Sequence, residues 1–341
     1  MKKYLMIIFV FTILSCDEDK VVSPGSMSST ASIYLNTALD IMQNNSINKY
    51  KIEWTSFREK TIKYAGSAQT EKATYNAIRF AINNLGDHHH SFFIEPPMKK
   101  TTMPILNSEK ESIQGLLKSN TQLLGIKINE NIGFIRIPYF VGSGDTEVYF
   151  ANNIQSLIRE VDSTSIKGWI VDLRQNGGGN MWPMLAGVGP ILGEGLVGKF
   201  VDPDTNISNW YYQDGKSLLE NVIGTQVDNP YYLINSNPFV AVLTDSFTTS
   251  SGEAIVVSFK GRQKTRSFGD YTNGRSTANS GFLLSDGAIL VLTVATMADR
   301  NGNLYGYKIK PDEIVLGKFK ENPLDNDTVV NVAINWLESN F

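Results

Sequence analysis

The stretch FVAVLTDSFTTSSGEAIVVSF, residues 239–259, decides the reading of this chain. Its first five residues are apolar, with β-branched and aromatic members, and stop at a cluster of turn formers, the pattern of a short buried strand. From Glu253 onward Ala254, Ile255 and Phe259 recur at helical spacing. Between strand and helix lies a run of small residues, Thr248-Thr249-Ser250-Ser251-Gly252. A hydroxyl held where a strand turns sharply into a helix is presented outward, beside the unpaired N–H groups of the first helical turn. Such donors suit an oxyanion. A plain helix cap with Glu253 as its capping-box partner gives the same local pattern. The choice therefore rests on the rest of the chain.

Histidine is the second informative feature. The chain has three, all adjacent, in LGDHHHSFF at residues 85–93. If Ser250 needs a general base near neutral pH, His88, His89 and His90 are the available imidazoles. A solvated loop run is the bland alternative. Adjacent side chains cannot easily surround one ion and no cysteine is at hand as a co-ligand, so no metal or other cofactor is expected. The third feature is VDLRQNGGGN at residues 171–180, after another buried strand. Three glycines permit positive φ and close backbone approach, and their N–H groups can converge into a nest for negative charge. The loop lacks the Gly-Lys-Ser/Thr or GxGxxG of a nucleotide site.

The organisation around these segments is that of an α/β fold. Residues 30–93 read as a small helical bundle: Ile33, Leu35, Ala38, Leu39 and Met42 form one stripe, Trp54, Phe57 and Ile62 a second, Tyr75, Ile78, Ala81 and Ile82 a third. Residues 94–121, with Pro96, Pro97 and Pro104, read as a connecting segment. From residue 122 to 341 strands alternate with helices, which predicts a core domain on a largely parallel sheet. There LLGIKI and IGFIRIPYF form two strands joined at Asn129-Glu130-Asn131. Residues 201–237, rich in Trp and Tyr, interrupt that alternation and read as a flap over a site or as an insertion.

The N-terminal end reads as a targeting segment. Lys2 and Lys3 precede a short apolar stretch, too short to span a bilayer, ending in Ile13-Leu14-Ser15-Cys16. This resembles the lipobox of bacterial lipoproteins, which implies residues 1–15 as a signal peptide and lipid on Cys16; an ordinary signal peptide with a stray cysteine is the alternative. Cys16 is the one cysteine of the chain, so no internal disulfide can form. Residues 16–29 are polar and small, a flexible tether. Asp17-Glu18-Asp19 resembles signals that send some lipoproteins to the cell surface, so the expected location is the outer membrane or the surface. The net charge is −3 with no basic cluster, which argues against nucleic acid as a partner.

Taken in order, LGDHHHSFF, IGFIRIPYF, DLRQNGGGN, VAVLTDSFTTSSGEAI, GDYTNGRSTAN and TVATMADRNG resemble the tail-specific, or C-terminal processing, serine peptidases, in particular the branch with the nisin-resistance proteases. The resemblance spans residues 30–316. It implies a crotonase/ClpP-like αββ core, Ser250 as nucleophile, backbone N–H groups of Gly178 and Ser251 as oxyanion donors, and peptides or unfolded proteins as substrates. Where many members carry a base lysine, this chain has Arg275, which stays protonated and cannot serve. The Ser–His branch takes its base from the segment that ends here at His90, with His89 second and His88 third because the run blurs the register. Residues 94–121 are too short for a PDZ module. Retinoid-binding repeats of the interphotoreceptor matrix have such a fold without known proteolysis, so a non-catalytic binding module is the alternative.

Overall fold

The computed structural model describes residues 25–87, 91–96 and 122–341. The signal segment, Cys16, the three histidines and most of the connecting segment lie outside the described residues. The architecture begins with helices α1 (Ser29–Asn45), α2 (Trp54–Ala65) and α3 (Tyr75–Asn83), followed by the short strand β1 (Phe92–Ile94). Then come β2 (Leu124–Asn129), β3 (Ile132–Arg136), helix α4 (Asp145–Val161), β4 (Gly168–Asp172) and helix α5 (Met181–Leu192). An antiparallel meander follows: β5 (Gly195–Val201), β6 (Ile207–Gln213), β7 (Lys216–Leu219) and β8 (Val222–Gln226). The chain closes with β9 (Phe239–Thr244), helix α6 (Ser251–Phe259), β10 (Thr265–Gly269), β11 (Thr277–Leu283), β12 (Ile289–Ala298), β13 (Glu313–Ile314) and helix α7 (Thr328–Glu338).

The central sheet runs β13-β10-β9-β4-β3-β2, parallel from β3 through β13, with β2 joined to β3 as the expected antiparallel hairpin. Its strands alternate between two cores, as a sheet covered on both faces must. Ile135, Trp169, Val171, Val240 and Val242 face α4, α5 and α6. The intervening Phe134, Ile170, Ala241 and Leu243 face α7 through Val329, Val330, Ala333 and Leu337. This layering puts the C-terminal ends of β4 and β9 side by side, which is where open parallel sheets present loops to a ligand.

A second sheet, β1-β12-β5-β6-β7-β8 with β11 on β12, was not foreseen as such. Residues 201–237 are largely its meander, with Trp210 and Tyr212 buried against α5. The helices do not form a separate bundle either. Leu35, Leu39, Met42, Ile78 and Ala81 share one core with Leu290 and Leu292 of β12. In α1 the expected stripe is off by one residue at its start. Ile33 is 69% exposed while Ala31 and Tyr34 are buried, because at 100° per residue Ile33 lies too far round from Leu35 and Leu39.

A chain of buried charges ties α7 to the central sheet. Asp172 accepts from Arg136 Nε at 3.1 Å and Arg174 Nε at 2.8 Å, and Arg174 also reaches Asp327, the N-cap of α7. All four side chains are at most 2% exposed. The two guanidiniums hold the Asp172 carboxyl below the usual range against the opposing effect of burial. Removing one member leaves an uncompensated buried charge. Asp327→Ala should therefore destabilise the fold by about 3–5 kcal/mol in urea unfolding; a loss below about 1 kcal/mol would show that the network carries little of the stability.

Candidate active site

Ser250 sits where the sequence pattern puts it, between β9 and α6. Its backbone is at φ 53°, ψ −113°, a conformation that costs a non-glycine residue about 1–3 kcal/mol and persists only when its surroundings enforce it. Here they do so from several sides. The Ser250 N–H donates to Glu253 Oε2 at 2.8 Å, and Thr249 N–H donates to the Asn176 carbonyl at 3.0 Å. Thr248 is buried and its hydroxyl donates to the Leu173 carbonyl at 2.9 Å. The Ser251 hydroxyl donates to the Gly179 carbonyl at 2.6 Å.

The glycine loop after β4 lies directly against this elbow. Gly178 has φ 93°, and a Cβ there would stand 2.8 Å from the Thr249 carbonyl oxygen and 2.9 Å from Ser250 Cβ. Gly179 has φ 105°, and a Cβ would overlap the Phe140 carbonyl oxygen at 1.9 Å. Both positions require glycine for conformation and for space. Asn176, wholly buried, fixes the loop: its Nδ2 donates to the Ile137 and Pro138 carbonyls, and its Oδ1 accepts the Gly178 N–H at 2.9 Å. The Gly178 N–H thus has an acceptor within the loop. The N–H groups of Ser251 and Gly179 find none among the described residues. Asn176 was missed in the sequence, although an Asn two residues before a glycine that it caps is a recognisable turn signal.

Glu253 does more than cap the helix. It is fully buried and accepts four hydrogen bonds: from Ser250 N–H, from the Thr272 hydroxyl at 2.5 Å, from Gly274 N–H at 2.9 Å and from Arg275 N–H at 2.8 Å. Arg275 is thereby anchored by its main chain within one side chain of Ser250. Burial raises the Glu253 carboxyl above the usual glutamate range, while the bonds from Thr272, Gly274, Ser250 and Arg275 oppose that rise.

The histidine segment is bracketed by two described residues. Asp87 accepts the Ser91 N–H and hydroxyl at 3.1 and 2.7 Å, and Thr293 of β12 gives its N–H to Ser91 Oγ at 3.0 Å. Asp87 and Ser91 therefore bind each other and β12. The next residues of β12, Val294 and Ala295, line a cleft of about 1030 Å³ that also contains Ser250 and Ser251. Residues 88–90 themselves lie outside the described residues. The other walls of the cleft are Gly179, Asn180 and Trp182, Phe200 and Asp202 of the meander, and Asn279 of β11. Asp204, also a lining residue, accepts hydrogen bonds from both Lys49 and Tyr50 of the helical region. Asp299, in contrast, holds a turn together through Asn301, Asn303 and Tyr305.

A strand-to-helix elbow holding a strained serine against a glycine nest, over a cleft, is the layout of a hydrolase that works through an exposed hydroxyl. Residues 131–315 match the profile of peptidase family S41, and the chain belongs to that family. It is 28% identical over 308 residues to the nisin-resistance protein of Lactococcus lactis subsp. lactis, covering 90% of this chain and 86% of that protein. Among solved structures it is similar to a lipoprotein from Streptococcus agalactiae, with 23% identity, a TM-score of 0.67, and coverage of 92% and 98% of the two chains. The photosystem II D1 C-terminal processing protease has the same fold at 16% identity and a TM-score of 0.56, covering 90% of this chain and 97% of its own.

The Glu253 carboxyl provides a pH test of the site. Its folded-state pKa is raised, so the stability it contributes is fully present below the unfolded-state value and is lost as pH rises through the folded one. In Glu253→Gln the amide NH₂ would face N–H donors, and the site no longer titrates. The stability gap between the native protein and Glu253→Gln, measured by urea unfolding, should therefore narrow from about pH 4 upward. A gap that widens with pH would reverse the sign assigned to this group.

Proposed function

We propose that this peptidase is a lipid-anchored serine endopeptidase whose nucleophile is Ser250 and whose general base is His90, with His89 next in order. The observation that carries the reading is the strained Ser250 backbone, pressed against Gly178 and open to the cleft. In the first step the imidazole takes the Ser250 Oγ proton as the oxygen adds to a peptide carbonyl. The oxyanion is met by the Ser251 N–H, with the second donor drawn from the Gly178–Gly179 turn. Collapse breaks the C–N bond, the imidazolium gives its proton to the leaving amine, and water then releases the acyl group by the same route. Arg275, permanently charged, takes no part as a base. Asp87 and Ser91, the described neighbours of the histidine run in the chain, are held to each other and to Thr293 of β12, and this supports a base from that run.

Lipid attachment at Cys16 would place this chemistry at the cell envelope, on peptides or unfolded protein segments reaching that surface. Two experiments address the reading. Labelling with a fluorophosphonate should be lost in Ser250→Ala with little change in stability, fall by orders of magnitude in His90→Ala, and change far less in Arg275→Ala. An Arg275 effect larger than the His90 effect would overturn the choice of base. For the anchor, Cys16→Ala should move the protein from the membrane to the soluble fraction, and unchanged membrane fractionation would remove the lipid from the account.

A further inference from the structure

Resting on the lipid anchor at Cys16, we propose that the outer face of the β1-β12-β11 sheet docks on the bilayer that holds that lipid. Cross-strand pairing puts Ile94, Ile289 and Leu283 in one row and Phe92, Val291 and Gly281 in a second. Paired residues share a face and successive ones alternate, so the row between them, Phe93, Leu290 and Phe282, points the other way. Those three pack in one core with α1 and α3. An antiparallel sheet with one face on a core ordinarily turns polar residues outward on the other. Here the outward positions are apolar apart from Gly281. Leu283 is 75% exposed, Phe92 47% and Ile94 46%, with Ile289 and Val291 half-buried beside them. A contiguous exposed apolar face of this kind marks a contact with protein or membrane.

The entry point of the chain favours the membrane. Ser28, the N-cap of α1, gives its N–H to the Ala68 carbonyl at 3.0 Å and its hydroxyl to the Gln69 carbonyl at 2.9 Å. Two residues further on, Glu71 accepts the hydroxyl of Ser285, at the tip of the β11–β12 hairpin, at 3.0 Å. Tyr34 and Tyr75 donate to Asp286 of the same tip. The described chain thus begins at the end of the helical region where Leu283, Ile94 and Ile289 are exposed. From Cys16 to Gly25 is nine residue steps, a reach of at most about 30 Å and on average about 17 Å for a flexible coil. The charges around the face are already engaged: Asp286 by the two tyrosines, Glu71 by Ser285 and Glu95 by Arg79. Contact is therefore by shallow insertion of apolar side chains and not by attraction to anionic headgroups. Such a face binds weakly alone, but a short tether holds it against the bilayer at an effective concentration on the order of mM. The lipid supplies attachment and the hairpin face supplies orientation. Ala278 and Asn279 of the cleft wall stand four to five residues along β11 from Leu283, roughly 15 Å, so docking keeps the cleft close to the lipid surface.

The test places a polarity-sensitive fluorophore on the native lipidated chain in phosphatidylcholine vesicles. With Cys16 acylated, Leu283→Cys carries the one free thiol. Val222→Cys on β8, the opposite edge strand of the same sheet and 69% exposed, is the control. Nitroxide-bearing lipid should quench the label at position 283 about fivefold more than the label at 222, with blue-shifted emission at 283 alone. Equal quenching at both positions, or none at 283, overturns the proposal. So does a blue-shifted label at 283 in the unlipidated Cys16→Ala chain in buffer, because protein then covers the face. Phe92→Ser with Ile94→Ser, both at exposed positions, should cut the quenching at 283 about threefold while the chain stays folded and vesicle-bound; unchanged quenching overturns docking through this face. Added phosphatidylglycerol should leave the signal as it is, and a signal that requires it overturns the apolar mode of contact. The intact mass of the chain reports acylation of Cys16 separately. If the acyl groups are missing the anchor itself has failed, and docking falls with it.

Discussion

The site depends on one buried carboxylate. Glu253 lies in the first turn of α6 and receives hydrogen bonds from the Ser250 N–H and from the loop that leads into β11. A carboxyl in a dry environment is tolerable only when its oxygens find partners, and four donors meet them here. The arrangement joins two pieces of chain about twenty residues apart, the Ser250 elbow and the wall of the cleft. Neither can shift without leaving donors or acceptors unpaired in the interior, at a cost of about 1–3 kcal/mol for each such group. The unfavourable φ of Ser250 is sustained by this bracing together with the wedge of Gly178 beneath it.

Much of this was legible in local sequence. The elbow could be read because a strand, a turn of small residues and a helix each have their own periodicity, and they meet at Ser250. The glycine loop could be read because only glycine fits at positive φ in contact with another backbone. The parallel sheet followed from the alternation of strands and helices. The second sheet was hidden for a different reason. Its strands β5 to β8 are only half-buried and aromatic, and β12 takes partners from residues 92–94, 195–201 and 277–283, pairings that no local window contains. The parts of the site that escaped notice share that property. Glu253 looked like a cap because its nearest partner is three residues away, whereas Thr272, Gly274 and Arg275 become its partners only through the tertiary fold. Gly178 was expected to hold its N–H free, but the side chain that accepts it belongs to Asn176, and an Asn before glycines does not announce which amide it will bind.

The two sheets divide the labour. The central sheet, sealed on both faces, is a rigid bed for the ends of β4 and β9. The outer sheet, antiparallel and carrying the helical region on β12, builds the remaining walls of the cleft. Asp204 joins the helical region to the loop after β5, where Lys49 and Tyr50 meet it. A surface ion pair of this kind adds little to global stability.

The buried charges beneath the glycine loop have a consequence in time. Arg174 stands two residues before Asn176, and it is neutralised from one side by Asp172 and from the other by Asp327. The residue that completes this arrangement therefore follows Ser250 by 77 positions in the chain. A polypeptide that is only partly synthesised holds the Ser250 segment but not the counter-charge that settles the loop under it. The bed of the glycine loop is thus complete only once α7 has joined the fold, which makes the last helix of the chain a late condition on the order of its middle.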